Sequence, residues 1–579
     1  MSMTAQSTGT RSSPAWVSSP ITVIPAVFVV VAVLLGLPIS LPVGPMYWDS
    51  LIYYDGAHRI FDGQVPAVDF FAPVGPLGYY LFAGWLALFP NAQTTLITHW
   101  ALLIITLPLM ALIVAHVAKR STATAWALFI PFLIFALLPF NGREYYPFPS
   151  TDGFGIYNRQ ICHMLYLLVA ALLFVKDQKL MAFLVASSMA AMFLLKITGF
   201  VAAGPLCLLA LLTGRITWRA TLAAVAACLA LAAALEITTG MISAYIRDIL
   251  LLVSANSDTL LPRLFQAASL NFGVLLPGLA LCVLLVYANR SEIARNWAAL
   301  RATPGFSTSA KLLDDDGLWL LTALGAGILF EAQNTGSQAF IFLWPVLWRI
   351  LLKLPAQMAT PKTAAAIAVL AAAAYLPLVV TIVERSARTY LGAMNAIPVP
   401  SHNLKGLADI TTRDFMLKRA NDMLGIYAKN QAFLQDVVAV EELPSQLLYS
   451  DIDFQVGNLI AIDQAVDSML ALEAKTGIRF ETIMNFGLSN PYPYLMDRHA
   501  PRLIPIGADP FRTSMDPTSE MSSEISKVDI ALFPTCPLTW ANVRLFQIYG
   551  GALKDHVKIT LNPCQAAYVN PALAAKIPH

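Results

Sequence analysis

Apolar runs of about fifteen to twenty residues recur along this chain from Ile21 to Val383, and they constrain its fold more than any other feature. In a bilayer, a helix of about 20 apolar residues spans the hydrocarbon and satisfies its own backbone groups. The runs fall at about Ile21 to Val43, Leu96 to Val117, Ala123 to Phe140, Ile161 to Val175, Leu180 to Leu195 and Gly199 to Leu212. Others follow at about Ala220 to Ile237, Leu270 to Tyr287, Leu318 to Phe330, Ala339 to Leu352 and Ala364 to Val383. The fold class expected is therefore a polytopic α-helical membrane protein of about eleven spans, some needing flanking residues to reach full thickness. Composition agrees, with 57% hydrophobic and 12% charged residues and a mean hydropathy of +0.64. A net charge of +2, without a basic run interleaved with aromatics, lacks the footprint of a nucleic-acid binder.

Basic residues in short loops set the orientation. With residues 1–20 as a cytoplasmic tail, Lys119 and Arg120, Lys176 and Lys179, Arg215 and Arg219, the stretch Arg290 to Lys311, and Lys353 with Lys362 all fall on one side. The first run is too long for a signal peptide's apolar core and is read as a retained span. The segment Gly75 to Phe89 is apolar but about fifteen residues long, and counting it as a span would invert every later loop. Its Pro76, Tyr79, Tyr80 and Trp85 suit a helix lying in the interface. The reading gives a transmembrane catalytic part over 21–384, with a first external loop at 44–95, and a soluble C-terminal domain over 385–579. The protein is expected in a bacterial inner membrane with that domain in the periplasm. There, Leu404 to Gln435 and Leu459 to Ala474 read as helices, and Phe480 to Asn485, Val528 to Phe533 and His556 to Leu561 as short strands, giving an α/β or α+β layer. Of six cysteines only Cys536 and Cys564 lie in polar sequence, where export permits a disulfide that the spacing does not decide.

The first external loop concentrates carboxylates among aromatics: Tyr47-Trp48-Asp49-Ser50, Tyr53-Tyr54-Asp55, His58-Arg59, Asp62-Gly63 and Asp69-Phe70-Phe71. Charge near lipid is costly unless solvated or paired, so this density points to function, with one carboxylate as general base for a hydroxyl. Asp49 beyond the first span, Tyr53 and Tyr54, Ala57, Gly63, Pro66, Asp69-Phe70 and Gly75-Pro76-Leu77 leading into Tyr79-Tyr80-Leu81 form a pattern. In this pattern the chain resembles the GT-C superfamily of integral-membrane glycosyltransferases, which includes protein O-mannosyltransferases, lipid A aminoarabinose transferases and arabinofuranosyltransferases. The resemblance covers about the first hundred residues; beyond them only topology agrees. It implies inverting transfer of a sugar from a polyprenyl-phosphate donor to an envelope glycan, lipid or protein, with Asp49 as catalytic base. Two positions depart from it: Ser50 stands where many relatives have Glu, and Val74-Gly75 where some have a Lys. The donor phosphate then needs a cation from elsewhere.

Lys196 is a candidate for that cation, because it interrupts apolar sequence before Ile197-Thr198-Gly199, and a lysine at membrane depth costs roughly 2.5 to 3.5 kcal/mol unless it snorkels or is paired. Arg143 and Arg159 in the second external loop are further candidates, since arginine clamps phosphate oxygens through paired donors. Asp69, Asp152, Tyr53, Tyr54, His58 and Glu331 are candidate acceptor-side or supporting residues. Arg247, Arg263, Gln333 and Asn334 could line an acceptor cavity, but they read more simply as residues of ordinary short hairpin loops. A divalent cation is compatible with the acidic loop, but no zinc-type spacing, phosphate-binding loop or dinucleotide fingerprint occurs. Asp451-Ile452-Asp453 is too short a match to a nucleotide-sugar motif to carry one, and Asp314-Asp315-Asp316 reads as a solvated charge run. The loop Asn485 to Tyr494 could stack a glycan or simply pack the domain against the membrane part. A flippase for a lipid-linked saccharide is the alternative class, though internal repeats common in transporters are missing.

Overall fold

The computed structural model describes residues 20–72, 74–256, 260–334, 336–357, 360–441 and 451–577. The chain is mostly helical, and four helices are long and apolar enough to cross a membrane: α7 (Ile156–Phe174), α8 (Gln178–Leu195), α10 (Trp218–Thr239) and α18 (Pro361–Ala393). Two bent helix pairs are also long and apolar enough if each is counted as one span. Helix α4 (Thr94–Trp100) meets α5 (Leu103–Ala118) at 44°, and α12 (Leu260–Leu270) meets α13 (Phe272–Ala288) at 81°. Shorter apolar helices include α1 (Val23–Gly36), α6 (Thr122–Leu137) and α9 (Ile197–Leu212), and α16 (Asp316–Glu331) and α17 (Trp344–Gln357) complete the bundle. At its centre α7 is buried on every side, while α10 leaves most of its surface outward. An all-round apolar helix is stable in either setting, and its neighbours decide which face meets lipid.

The basic loops grouped by the charge pattern do gather at one end of the bundle. Arg120 donates to the Phe174 carbonyl at 3.4 Å and Arg215 to the Leu173 carbonyl at 3.0 Å. Asp314-Asp315-Asp316 lies at this end and is not the freely solvated run expected of it. Asp314 pairs with Arg215 at 2.8 Å and Arg349 at 3.1 Å, while Asp316 pairs with Arg349 at 2.9 Å and Lys353 at 2.6 Å. Asp315 caps α16 by accepting from Gly317 N at 2.8 Å. Cations at the ends of other spans make the difference, and sequence order does not reveal them.

At the other end, the first loop forms α2 (Trp48–Phe61) and the apolar α3 (Leu77–Leu88), which pack on each other. Helix α18 continues unbroken to Ala393, and its Arg385 pairs with Asp152 of the second loop at 2.8 Å. After α18 come β2 (Ile397–Pro398) and β3 (Ile410–Thr412), and β3 pairs in parallel with β1 (Leu41–Pro42), just ahead of α2. The helix expected from Leu404 therefore starts only at Asp414, because the β-branched Ile410-Thr411-Thr412 has a distant strand partner. The C-terminal sheet has the order β4 (Ile483–Asn485), β5 (Ile530–Pro534), β7 (Gln565–Val569), β6 (Val557–Asn562), with β4 and β5 parallel. The expected strands near 480, 528 and 556 match β4, β5 and β6, and β7 is additional. A disulfide joins Cys536, after β5, to Cys564, before β7.

Candidate active site

A cavity of about 670 Å³ opens where the first loop, the ends of α7, α8 and α16, helix α11 (Met241–Asn256) and the C-terminal sheet meet. Asp49 lies on its wall in the first turn of α2, where the positive end of a helix dipole favours a carboxylate. Its Oδ2 accepts a hydrogen bond of 3.0 Å from Gly155 N, ahead of α7. Gly155 has φ +65, and an added Cβ would lie 2.6 Å from the Gly336 carbonyl oxygen, so glycine alone suits this turn. Burial pushes the Asp49 carboxyl up to about 6, against the lowering effects of that amide and of the charges on Lys196 and Arg159. A carboxylate of that basicity can take a proton at neutral pH.

Lys196 also lines the cavity, in the break between α8 and α9. Its Nζ donates to Asn158 Oδ1 at 3.0 Å and to Asn334 Oδ1, and lies 4.6 Å from the centre of the Tyr157 ring. These partners are neutral, and among the described residues no carboxylate lies within ion-pairing distance of it. The start of α9 adds to the positive potential: Ile197 and Thr198 face the cavity, and the Thr198 hydroxyl has no partner among the described residues. An ammonium hydrogen-bonded only to neutral groups, beside a helix N-terminus and a spare hydroxyl, is a setting for an anionic oxygen. Gly75 donates its N–H to the Leu195 carbonyl at 3.0 Å. A Cβ there would come 2.1 Å from the Leu194 carbonyl oxygen, so the first loop can abut the Lys196 hinge only through glycine.

The other candidate residues lie outside this wall. Arg159 is buried and donates to His99 Nδ1 at 3.2 Å, Asn141 Oδ1 at 2.9 Å, the Phe154 carbonyl at 2.7 Å and the Asp152 carbonyl at 3.2 Å. Arg143 is exposed over the Tyr145 ring, 5.6 Å from its centre. Asp152 is paired with Arg385, while Asp69 pairs with Arg502 and accepts from Val65 N at 2.7 Å. Tyr53 packs on Tyr79 with ring centroids 5.3 Å apart, and the Tyr54 hydroxyl is 3.2 Å from Thr94 Oγ1. His58 Nε2 is 2.6 Å from the Arg498 carbonyl oxygen. Glu331 accepts from the Ser337 hydroxyl, and its neighbour Gln333 reaches the cavity. Asp451 and Asp453 sit at the start of the helix Ile452–Thr476, where Asp453 pairs with Arg419 at 2.8 Å. Arg263, which the sequence offers as a possible lining residue, does reach the cavity, and so does Arg512, which nothing local ties to Asp49. No group of three or more His, Cys, Asp or Glu side chains among the described residues is arranged to hold a metal.

Neither a known family profile nor a curated protein matches this chain. Among solved structures it is similar to ArnT from Cupriavidus metallidurans in the apo state, at 11% identity and a TM-score of 0.38, over 96% of this chain and 99% of that one. It is also similar to the same ArnT bound to undecaprenyl phosphate, at 12% identity and a TM-score of 0.37, over 97% and 99% of the two chains.

Proposed function

We propose that the chain is an inverting glycosyltransferase that moves a sugar from a polyprenyl-phosphate donor to a hydroxyl of an envelope glycan, lipid or protein. The observation that carries this reading is the shared cavity of Asp49, raised to about 6, and Lys196, which has only neutral partners. Asp49 takes the proton of the acceptor hydroxyl as its oxygen attacks the anomeric carbon from the face opposite the phosphate. The bond between that carbon and the phosphate oxygen breaks, and the polyprenyl phosphate leaves with the electron pair. Lys196 and the first turn of α9 stabilise the charge that grows on the leaving phosphate. The GT-C-like first loop and the apolar α3 support entry of a lipid tail from the side. In this reading the cavity faces the periplasm of a bacterial inner membrane, and residues 385–579 cover it there.

The test is Asp49→Asn in purified protein, assayed with radiolabelled polyprenyl-phosphate sugars extracted from the native membrane. Transfer should fall by at least about a hundredfold, as for loss of a general base, while donor binding persists. Near-normal turnover would remove Asp49 from this role. Movement of the labelled lipid across liposomes with no new glycosidic bond would point to a flippase instead.

A further inference from the structure

Strands β4 and β5 run parallel, and both end at the cavity described above. In open sheets with parallel strands, ligands bind in the crevice beyond the carboxyl ends, where the following loops diverge. Here the last residue of β4 supplies Asn485 and the loop after it Ser489, and the loop after β5 supplies Thr539 at the start of the helix Trp540–Tyr549, with Asn542 in its first turn. The first residue of β7, Gln565, sits opposite Pro534 at the end of β5 and completes this wall. These five side chains are neutral amides and hydroxyls. The charges of the lining, Asp49, Lys196, Arg263, Asp509 and Arg512, lie on other segments, so this edge of the sheet is a neutral part of the cavity.

Two polar atoms on the neutral wall have no hydrogen-bond partner. Gln565 is only 3% exposed, and its Nε2 is unpaired among the described residues, as is Asn485 Oδ1. Buried amides are normally satisfied, and exceptions call for an explanation. The Nδ2 of Asn485 is held by the Ser489 carbonyl at 2.7 Å, which fixes its oxygen as the open acceptor. One open donor and one open acceptor, with the Tyr492 ring also lining the cavity, match the alternating hydroxyls and C–H faces of a sugar ring.

We infer that the carboxyl edge of the C-terminal sheet is a saccharide subsite that holds the neutral, hydroxyl-bearing part of the acceptor, with Gln565 and Asn485 as its hydrogen-bonding anchors. This inference rests on the reading of the cavity as a glycosyl-transfer site. The acceptor would be gripped by the C-terminal part and presented to Asp49 on the membrane part.

The experiment is saturation-transfer NMR on the full chain in detergent, with the methyl glycosides of glucose, mannose, galactose and N-acetylglucosamine as probes. At least one should bind the wild type. Gln565→Ala and Asn485→Ala should each weaken its binding about fivefold, the usual effect of losing one hydrogen bond. Thermal unfolding of the same samples separates loss of fold from loss of contact, and Asn485, half-buried at the end of β4, provides a variant independent of the buried Gln565. Failure of all four glycosides to bind the wild type, or undiminished binding in a folded double variant, would overturn the subsite. Lost glycoside binding with transfer to water intact in these variants supports it, whereas a wild type that binds glycosides but never cleaves the donor counts against the transfer chemistry alone.

Discussion

Asp49 owes its proposed role to a conflict between burial, which raises its pKa, and the Gly155 amide with the charges of Lys196 and Arg159, which lower it. Burial dominates, and the carboxyl sits at about 6. The sign for activity follows directly: the base is the ionised form, so turnover should be flat above about pH 7 and fall roughly tenfold per unit below about pH 6. A pH–rate profile under saturating donor checks this, and one that stays flat to pH 5 would contradict it. Linkage has a matching sign, because the folded chain binds this proton more tightly than the unfolded one. Asp49 therefore favours the folded state below the ordinary carboxylate range, and that contribution is lost as pH rises through about 6. Lys196 is the complementary case. Lys196→Ala should raise the KM for the lipid-phosphate donor and lower kcat, by roughly tenfold to a hundredfold in kcat/KM for loss of a charged contact. An unchanged KM and kcat would place its ammonium in a purely structural role.

Among the elements, the loop entering α7 does the most with the fewest residues. Gly155 takes a left-handed conformation there, touches the Gly336 backbone and directs its N–H at Asp49. Gly155→Ala should cost roughly 1 to 2 kcal/mol from the backbone conformation alone, with more from the clash, and should reduce activity beyond its effect on stability because the amide turns away from Asp49. Thermal unfolding and transfer assays on one preparation separate the two effects. The strongly apolar spans were legible in the sequence, because a helix that must satisfy its own backbone in lipid leaves a long uninterrupted signature. The polar elements were less so. Residues Leu404 to Arg413 were expected as helix, but they form a single 3-10 turn and strand β3, whose partner β1 lies more than 360 residues earlier.

For the whole molecule, the C-terminal part is joined to the first loop by many contacts. His58 and Arg59 meet the Arg498 and Pro501 carbonyls at 2.6 and 2.8 Å, Gln64 donates to the Ala500 carbonyl at 3.1 Å, and Ile506 N donates to the Phe71 carbonyl at 3.0 Å. Arg385, at the far end of α18, fastens the second loop through Asp152, and both side chains are buried. Arg385→Ala leaves that buried carboxylate without its ion-pair partner, with only the Asn141 amide among the described residues donating to it at 2.7 Å, and should cost roughly 3 to 5 kcal/mol. The expected readout is a lower unfolding temperature in detergent with the disulfide intact, and an unchanged temperature would refute it.

Sequence alone determined that this chain crosses a membrane several times, which loops share an end, and that Asp49 and Lys196 stand out chemically. Those properties are local: a long apolar run, a cation inside one, an acid among aromatics. Only the tertiary structure decided which charged groups share the cavity. Arg159 and Asp152 are consumed by buried partners, whereas Arg512 and Gln565 reach the cavity from segments with no local signal. The physical reason is that a charged or amide side chain is defined by the groups that pair with it, and in this fold those groups come from segments up to hundreds of residues away.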